Sequence, residues 1–182
     1  CNENSLIIVV DTHKSSYVES SNLLTLTKQI VIIDHHRKSA EFIENATLSY
    51  LEPYASSACE MVTEIIQYMT NKPQITHEMA QALYAGISLD TKNFTIKTGV
   101  RTFEAASFLR RNGVDTIAVR RLFQTDMETV LLRTEIIKNA YVYSKDIAIS
   151  VYANNVQSSP NVLISQAADE LLNISGITAS FV

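Results

Sequence analysis

Two short runs without a single charge, Leu6-Ile7-Ile8-Val9-Val10 and Ile30-Val31-Ile32-Ile33, each end in an acid, Asp11 and Asp34. Unbroken apolar succession leaves no polar face for water, so such strands call for cover on both sides, the condition of a parallel sheet layered with helices. The carboxyl ends of strands in an open parallel sheet are where ligands bind, because the loops leaving there converge and are free to vary. The chain therefore reads as α/β with a mostly parallel sheet. Its ligand edge carries Asp11 from one strand and Asp34-His35-His36 from the next.

Composition removes several alternatives. The 182 residues suffice for a sizeable core in one domain and part of another. Lys and Arg number 15 against 19 Asp and Glu, a net charge of −4, so no basic surface for long nucleic acid is expected. An anionic substrate would have to be met by metal ions. No apolar run reaches the roughly 20 residues of a membrane span, and no signal-like start is present. Two cysteines, Cys1 and Cys59, are too few for a disulfide framework and fit a reducing, cytoplasmic setting. Gly86, Gly99, Gly113 and Gly176 are the only glycines, which excludes a phosphate-cradling loop or a dinucleotide fingerprint, since both need clustered glycines.

Between the two apolar strands the residues near 19–26 predict a helix, giving a β-α-β crossover, and a third strand is expected at 47–51. Ser57…Glu60 has the spacing of a capping box, followed by a helix whose stripe is Ala58, Met61, Val62, Ile65, Ile66 and Met69. Thr76 can cap a second helix striped by Met79, Ala80, Leu83, Tyr84 and Ile87, and Asp90 falls on that same stripe. A bare carboxylate there is costly, so Asp90 is expected to be protonated, paired or bound to a cation. Helices are expected over 102–111, closed by Gly113, and over 115–124. A further long helix is expected over 125–143, opened by the box Thr125…Glu128. Beyond it a strand at 146–152, a helix at 161–172 and a strand at 177–182 read as the start of a second α/β domain. The expected division is 1–124, a linker helix 125–143, and a smaller, incomplete domain 144–182.

Carboxylates and imidazoles suit divalent cations, and two such ions about 3.5–4 Å apart are a common device for phosphoester hydrolysis. Three segments carry a specific likeness: Val9-Val10-Asp11-Thr12-His13-Lys14, Ile33-Asp34-His35-His36-Arg37, and Gly86-Ile87-Ser88-Leu89-Asp90-Thr91-Lys92-Asn93-Phe94. In this order they resemble the second, third and fourth motifs of the DHH phosphoesterase superfamily. The stretch from Asn93-Phe94 through Thr98-Gly99-Val100-Arg101-Thr102-Phe103-Glu104 resembles the GdpP-type cyclic-di-AMP phosphodiesterases within it. The resemblance implies a DHH domain joined to a DHHA1-like substrate-binding domain, a nucleotide held between them, and two Mn2+ ions. It makes Asp11 the bridging carboxylate, with His35 and Asp90 completing one shell. His36 would face the substrate phosphate, and Asp34 would orient the imidazoles from behind, so that Asp34, His35 and His36 form the catalytic group.

The family's first motif, His-x-x-x-Asp-x-Asp, and its glycine-rich carboxyl-terminal segment do not occur in these residues. The expectation is therefore a truncated piece, inactive by itself, of a polypeptide that is anchored in a membrane with its site on the cytoplasmic face and that forms a homodimer. The expected reaction is hydrolysis of cyclic-di-AMP to linear pApA. Rival readings are a nanoRNase or pAp phosphatase of the same superfamily, and an inactive nucleotide-binding module. Among the cations, Arg37, Lys92 and Arg101 either steer phosphate or stay solvated, and Arg101 is carried forward as substrate-binding. His13 is read as a loop histidine bonded to backbone, His77 as an exposed first-turn residue, Cys59 as packing, and Ser56 and Ser57 as helix caps with amides open to an anion.

Overall fold

The computed structural model describes residues 1–182 except 70, 72 and 153–159, so part of the expected second domain lies outside the described residues. The chain divides into two units, Cys1–Phe123 and Gln124–Val182.

The first unit is built on three parallel strands in the order β1 (Ile7–Val10), β2 (Ile30–Asp34), β3 (Leu48–Leu51). Their register pairs Val10 with Ile33 and Asp34 with Leu51, so the strand ends align at one edge. One face buries Val9, Ile30 and Ile32 with Leu24 and Ile43 from the connections. On the other face Ile33, Val31 and Tyr50 meet Met61, Val62 and Ile65 of α1 (Ala58–Met69). Cover is complete only over the central strand: on β1, Ile8 and Val10 remain 55% and 51% exposed, which corrects the expectation of burial on both faces.

The crossover between β1 and β2 also departs from expectation. In place of a helix over 19–26 it holds two short 3-10 turns, Ser15–Tyr17 and Ser21–Thr25, neither with a side-chain cap. Ser20, Ser21, Asn22 and Thr25 compete for local backbone, as the Thr25 hydroxyl does by donating to the Asn22 carbonyl, and so few residues cannot offset the cost of an α-helical nucleus.

Three more helices complete the unit: α2 (His77–Asp90), α3 (Val100–Arg111) and α4 (Thr116–Leu122). They share a core of Ala80, Ile87, Ala105, Phe108, Leu109, Val114 and Val119. Thr76 caps α2 by accepting from the Met79 amide, and Asp115 caps α4 through the Ile117 amide. At α1 the expected box is shifted by one residue. Ser57 Oγ accepts from the Glu60 amide, but the buried Glu60 carboxylate turns back to the amide and hydroxyl of Ser56. A Cβ at Gly86 would overlap Cys59 Sγ, so its missing side chain is what lets α1 and α2 approach.

The second unit opens with α5 (Met127–Lys138), capped by Asp126 through the Thr129 amide and hydroxyl rather than by Thr125. The helix expected to run to 143 stops at Lys138, because Tyr141–Tyr143 forms strand β4. β4 pairs antiparallel with β5 (Ile147–Ile149) across Ser144 and Lys145, both at positive φ. After α6 (Pro160–Leu172), β6 (Ala179–Phe181) returns parallel to β5. Helix α5 is therefore more than a connector: its Ile136 is buried with Leu163 and Ala167 of α6. Among the described residues no helix is long and apolar enough to cross a membrane.

Candidate metal centre

Asp11, His35 and Asp90 come from three separate elements and meet at the strand-end edge of the first unit. Asp11 follows β1, with its amide still bonded to the Ile33 carbonyl at 3.0 Å while its φ turns to 65°. That left-handed conformation is one Asp tolerates better than most residues, and it ends the strand with the carboxylate beside His35. His35 follows β2, and its Nε2 lies 3.3 Å from Asp11 Oδ1 and 3.7 Å from Asp90 Oδ2. Asp90 is the last residue of α2, at the helix end where unpaired carbonyls add negative potential and favour a cation. The chain then winds through Lys92, Asn93 and Phe94, all at positive φ, fixed by the Phe94 amide on the Thr91 hydroxyl at 2.9 Å and the Asn93 amide on the Ser88 carbonyl at 2.7 Å.

His36 joins this group. Asp11, His35 and His36 each offer a donor atom within 4.8 Å of one another, and the two imidazole rings lie 4.4 Å apart. Asp34, the last residue of β2, is fully buried and supports the pair from behind. Its Oδ1 accepts from His36 Nδ1 at 2.7 Å and from the His36 amide at 3.1 Å, and its Oδ2 bonds His13 Nδ1 at 2.5 Å. Burial by itself would raise the Asp34 pKa, but the hydrogen bonds from His13 and His36 outweigh it and hold the carboxyl below its ordinary range.

Sequence reasoning missed His13. It is a 2% exposed group whose Nε2 accepts from the Ser39 amide at 3.0 Å, not a loop residue satisfied by backbone alone. The available signal was its place two residues beyond Asp11. Arg101, expected to meet phosphate, donates from Nε and Nη2 to the two oxygens of Glu64 at 2.7 Å each, and its Nη1 lies 3.7 Å from Glu52. A phosphate reaching Arg101 would have to share it with Glu64.

The donor set fits a divalent cation. Burial, then the neighbouring Asp11 carboxylate, pushes the Asp90 carboxyl up, against the lowering pull of His35, His36 and Lys97. Burial with the charges of Asp90 and Asp11 also drives the Cys59 thiol up to about 11, leaving it an unreactive neighbour at neutral pH. Two carboxylates of like charge, with an imidazole between them, form a site whose mutual repulsion a cation relieves. A carboxyl raised in the folded state favours folding at low pH and loses that contribution as pH rises. Asp90→Asn is therefore expected to raise the cation-free melting temperature at pH 7 by about 1–2 °C. The same variant should show a smaller stabilisation on titrating Mn2+; both effects are read by calorimetry.

With this geometry in place, known proteins give it a context. Residues 2–87 match the model of the DHH family, N-terminal domain. It is 44% identical over 181 residues, 99% of its length, to the cyclic-di-AMP phosphodiesterase GdpP of Bacillus subtilis, and 46% identical over 180 residues to GdpP of Geobacillus thermodenitrificans. The chain spans 28% and 27% of the length of these relatives. In fold it resembles the crystal structure of an exopolyphosphatase-related protein from Bacteroides fragilis, with a TM-score of 0.82 over 96% of this chain and 54% of that one at 18% identity.

Proposed function

We propose that this chain carries the metal-binding part of a manganese-dependent phosphodiesterase that hydrolyses cyclic-di-AMP to linear pApA and so sets the level of a second messenger. The observation that carries the reading is the convergence of Asp11 and Asp90 on His35 Nε2. Asp11, His35 and Asp90 would hold the cations. Bound there, two Mn2+ ions supply water activation at neutral pH and positive charge against phosphoryl oxygens.

The chain's own residues do the rest. His36 keeps its Nδ1 proton on Asp34, which leaves the Nε2 lone pair on the open side of a half-exposed ring, free to accept a proton from a nucleophile or substrate group. Asp34, His35 and His36 thus act as one catalytic group, with Asp34 acting through the imidazole. Arg101 offers its remaining N–H donors to a phosphate. Arg101→Ala is expected to raise KM severalfold with little change in kcat, and to cost no more than about 1 kcal/mol of stability, since the pair with Glu64 is partly exposed. Steady-state kinetics and urea denaturation check the two effects. Residues 144–182 are read as the opening of a DHHA1-like substrate-binding domain. Membrane tethering with a cytoplasmic site and homodimerisation belong to the same reading, and fractionation and light scattering test them.

The decisive assay uses the natural polypeptide that contains these residues. It compares turnover of cyclic-di-AMP and of pApA with Mn2+, separating products by chromatography. A marked preference for cyclic-di-AMP with pApA accumulating is expected. Preference for pApA would instead assign a nanoRNase, and tight binding without turnover of either would assign a binding module.

A further inference from the structure

His36 has a task its surroundings barely support. Its side chain is 56% exposed and, among the described residues, is held by Asp34 and by the tilted ring of His35. A carboxylate held at one oxygen can still swing about its own χ2 and take the imidazole with it. What stops Asp34 swinging is its other oxygen, bonded to His13.

The protonation of that second bond follows from a peptide plane. Two groups of Ser39 lie beside His13 Nε2, the amide at 3.0 Å and the hydroxyl at 3.1 Å, and of these the backbone N–H can only donate. That amide contact assigns the lone pair to Nε2 and the ring proton to Nδ1, where it is donated to Asp34 Oδ2 at 2.5 Å. The loop that supplies Ser39 is itself fastened to this histidine and its neighbours. The Ile43 amide donates to the His13 carbonyl at 2.9 Å, and Glu41 accepts from the Ser16 amide at 2.9 Å and the Ser15 hydroxyl at 3.2 Å. The relay thus runs from the Ser39 loop through His13 to Oδ2 of Asp34, and from Oδ1 of the same carboxylate to His36.

We infer that His13 is a positioning residue which, through the Ser39 amide on one side and Asp34 on the other, fixes the orientation and the Nδ1–H tautomer of His36. The inference rests on the proposed phosphodiesterase reading for its kinetic consequence, but its structural content stands apart from catalysis. Asparagine can place an N–H where His13 Nδ1 lies. Glutamine reaches the Nε2 position instead, and leucine fills the space with no donor. Two readouts separate the roles: kcat and KM for cyclic-di-AMP in the natural polypeptide, and the imidazole 15N shifts of His36 in the same protein.

His13→Leu is expected to lower kcat about 10–100-fold with KM changed less than about threefold, and to give His36 mixed tautomers. His13→Asn should restore kcat to within about fivefold of the parent and a single Nδ1–H tautomer at His36, whereas His13→Gln should not. If leucine prevents folding, the contrast between asparagine and glutamine decides. An Asn variant as impaired as Gln, or a folded Leu variant with His36 and kcat unchanged, overturns the inference. If the parent shows no turnover at all, the function reading fails, and the His36 shifts still judge the role of His13.

Discussion

His35→Ala is expected to remove divalent-cation binding from the chain, lowering Mn2+ affinity by at least about 100-fold and hydrolysis on the order of 1000-fold or more. The imidazole is only 10% exposed at its side chain and stands between the two carboxylates, its Nε2 at 3.3 Å from Asp11 and 3.7 Å from Asp90. Removing it would delete a proposed ligand and leave the acids to repel each other across a void that only water can fill. Asp90, already raised by burial and by Asp11, loses the lowering influence of His35. It then holds a proton more tightly, and a proton competes with a metal ion. Conserving the shape does not help, because His35→Gln keeps bulk but offers an amide in place of a basic nitrogen. Titration calorimetry with Mn2+ measures the loss directly. Binding within about threefold of the parent in the Ala variant would refute the site.

Much of this site was legible because its members sit where sequence patterns are strongest. An uncharged strand followed by Asp34-His35-His36 fixes both the element and the end at which its polar residues emerge. Asp90 was readable from the stripe of Ala80, Leu83 and Ile87 that precedes it by whole helical turns. The Asp34–His13 bond was not readable, because it joins residues 21 apart through a register that β1 and β2 set only once paired. Asp11's turn to positive φ was also hidden, since no glycine marks it. The same blindness misplaced the end of α5. Apolar residues continue from Ile136 and Ile137 into Tyr141, Val142 and Tyr143, and the hairpin that follows turns on Ser144 and Lys145 at φ 52° and 77° rather than on the usual Asn-Gly. Local pattern reports periods well and reports tight turns only when their residues are the customary ones.

Asp34→Asn should be more harmful to catalysis than its near-identical shape suggests, and the reason is a proton count. The carboxylate accepts from three N–H groups: His13 Nδ1, His36 Nδ1 and the His36 amide. An asparagine offers one oxygen and an NH2 that must find an acceptor. His13 cannot become that acceptor, because the Ser39 amide already occupies its Nε2 and holds the proton on Nδ1. The NH2 therefore turns to His36, where it faces a backbone N–H that loses its acceptor and a ring whose proton moves to Nε2, blocking the lone pair that faces the site. The expected loss in kcat is on the order of 10²–10⁴-fold, with His36 15N shifts reporting the tautomer change. Asp34→Ala leaves the His13 donor unsatisfied in a buried site, at about 1–3 kcal/mol. The carboxyl is lowered in the folded state, so its contribution is present above its ordinary value of 3.8 and is lost as pH falls below it. The stability gap between parent and Ala variant should hold from about pH 5 to 7 and shrink below about pH 4 in urea denaturation. A gap that widens in acid would mean that Asp34 is held protonated, and the orientation of both imidazoles would have to be rewritten.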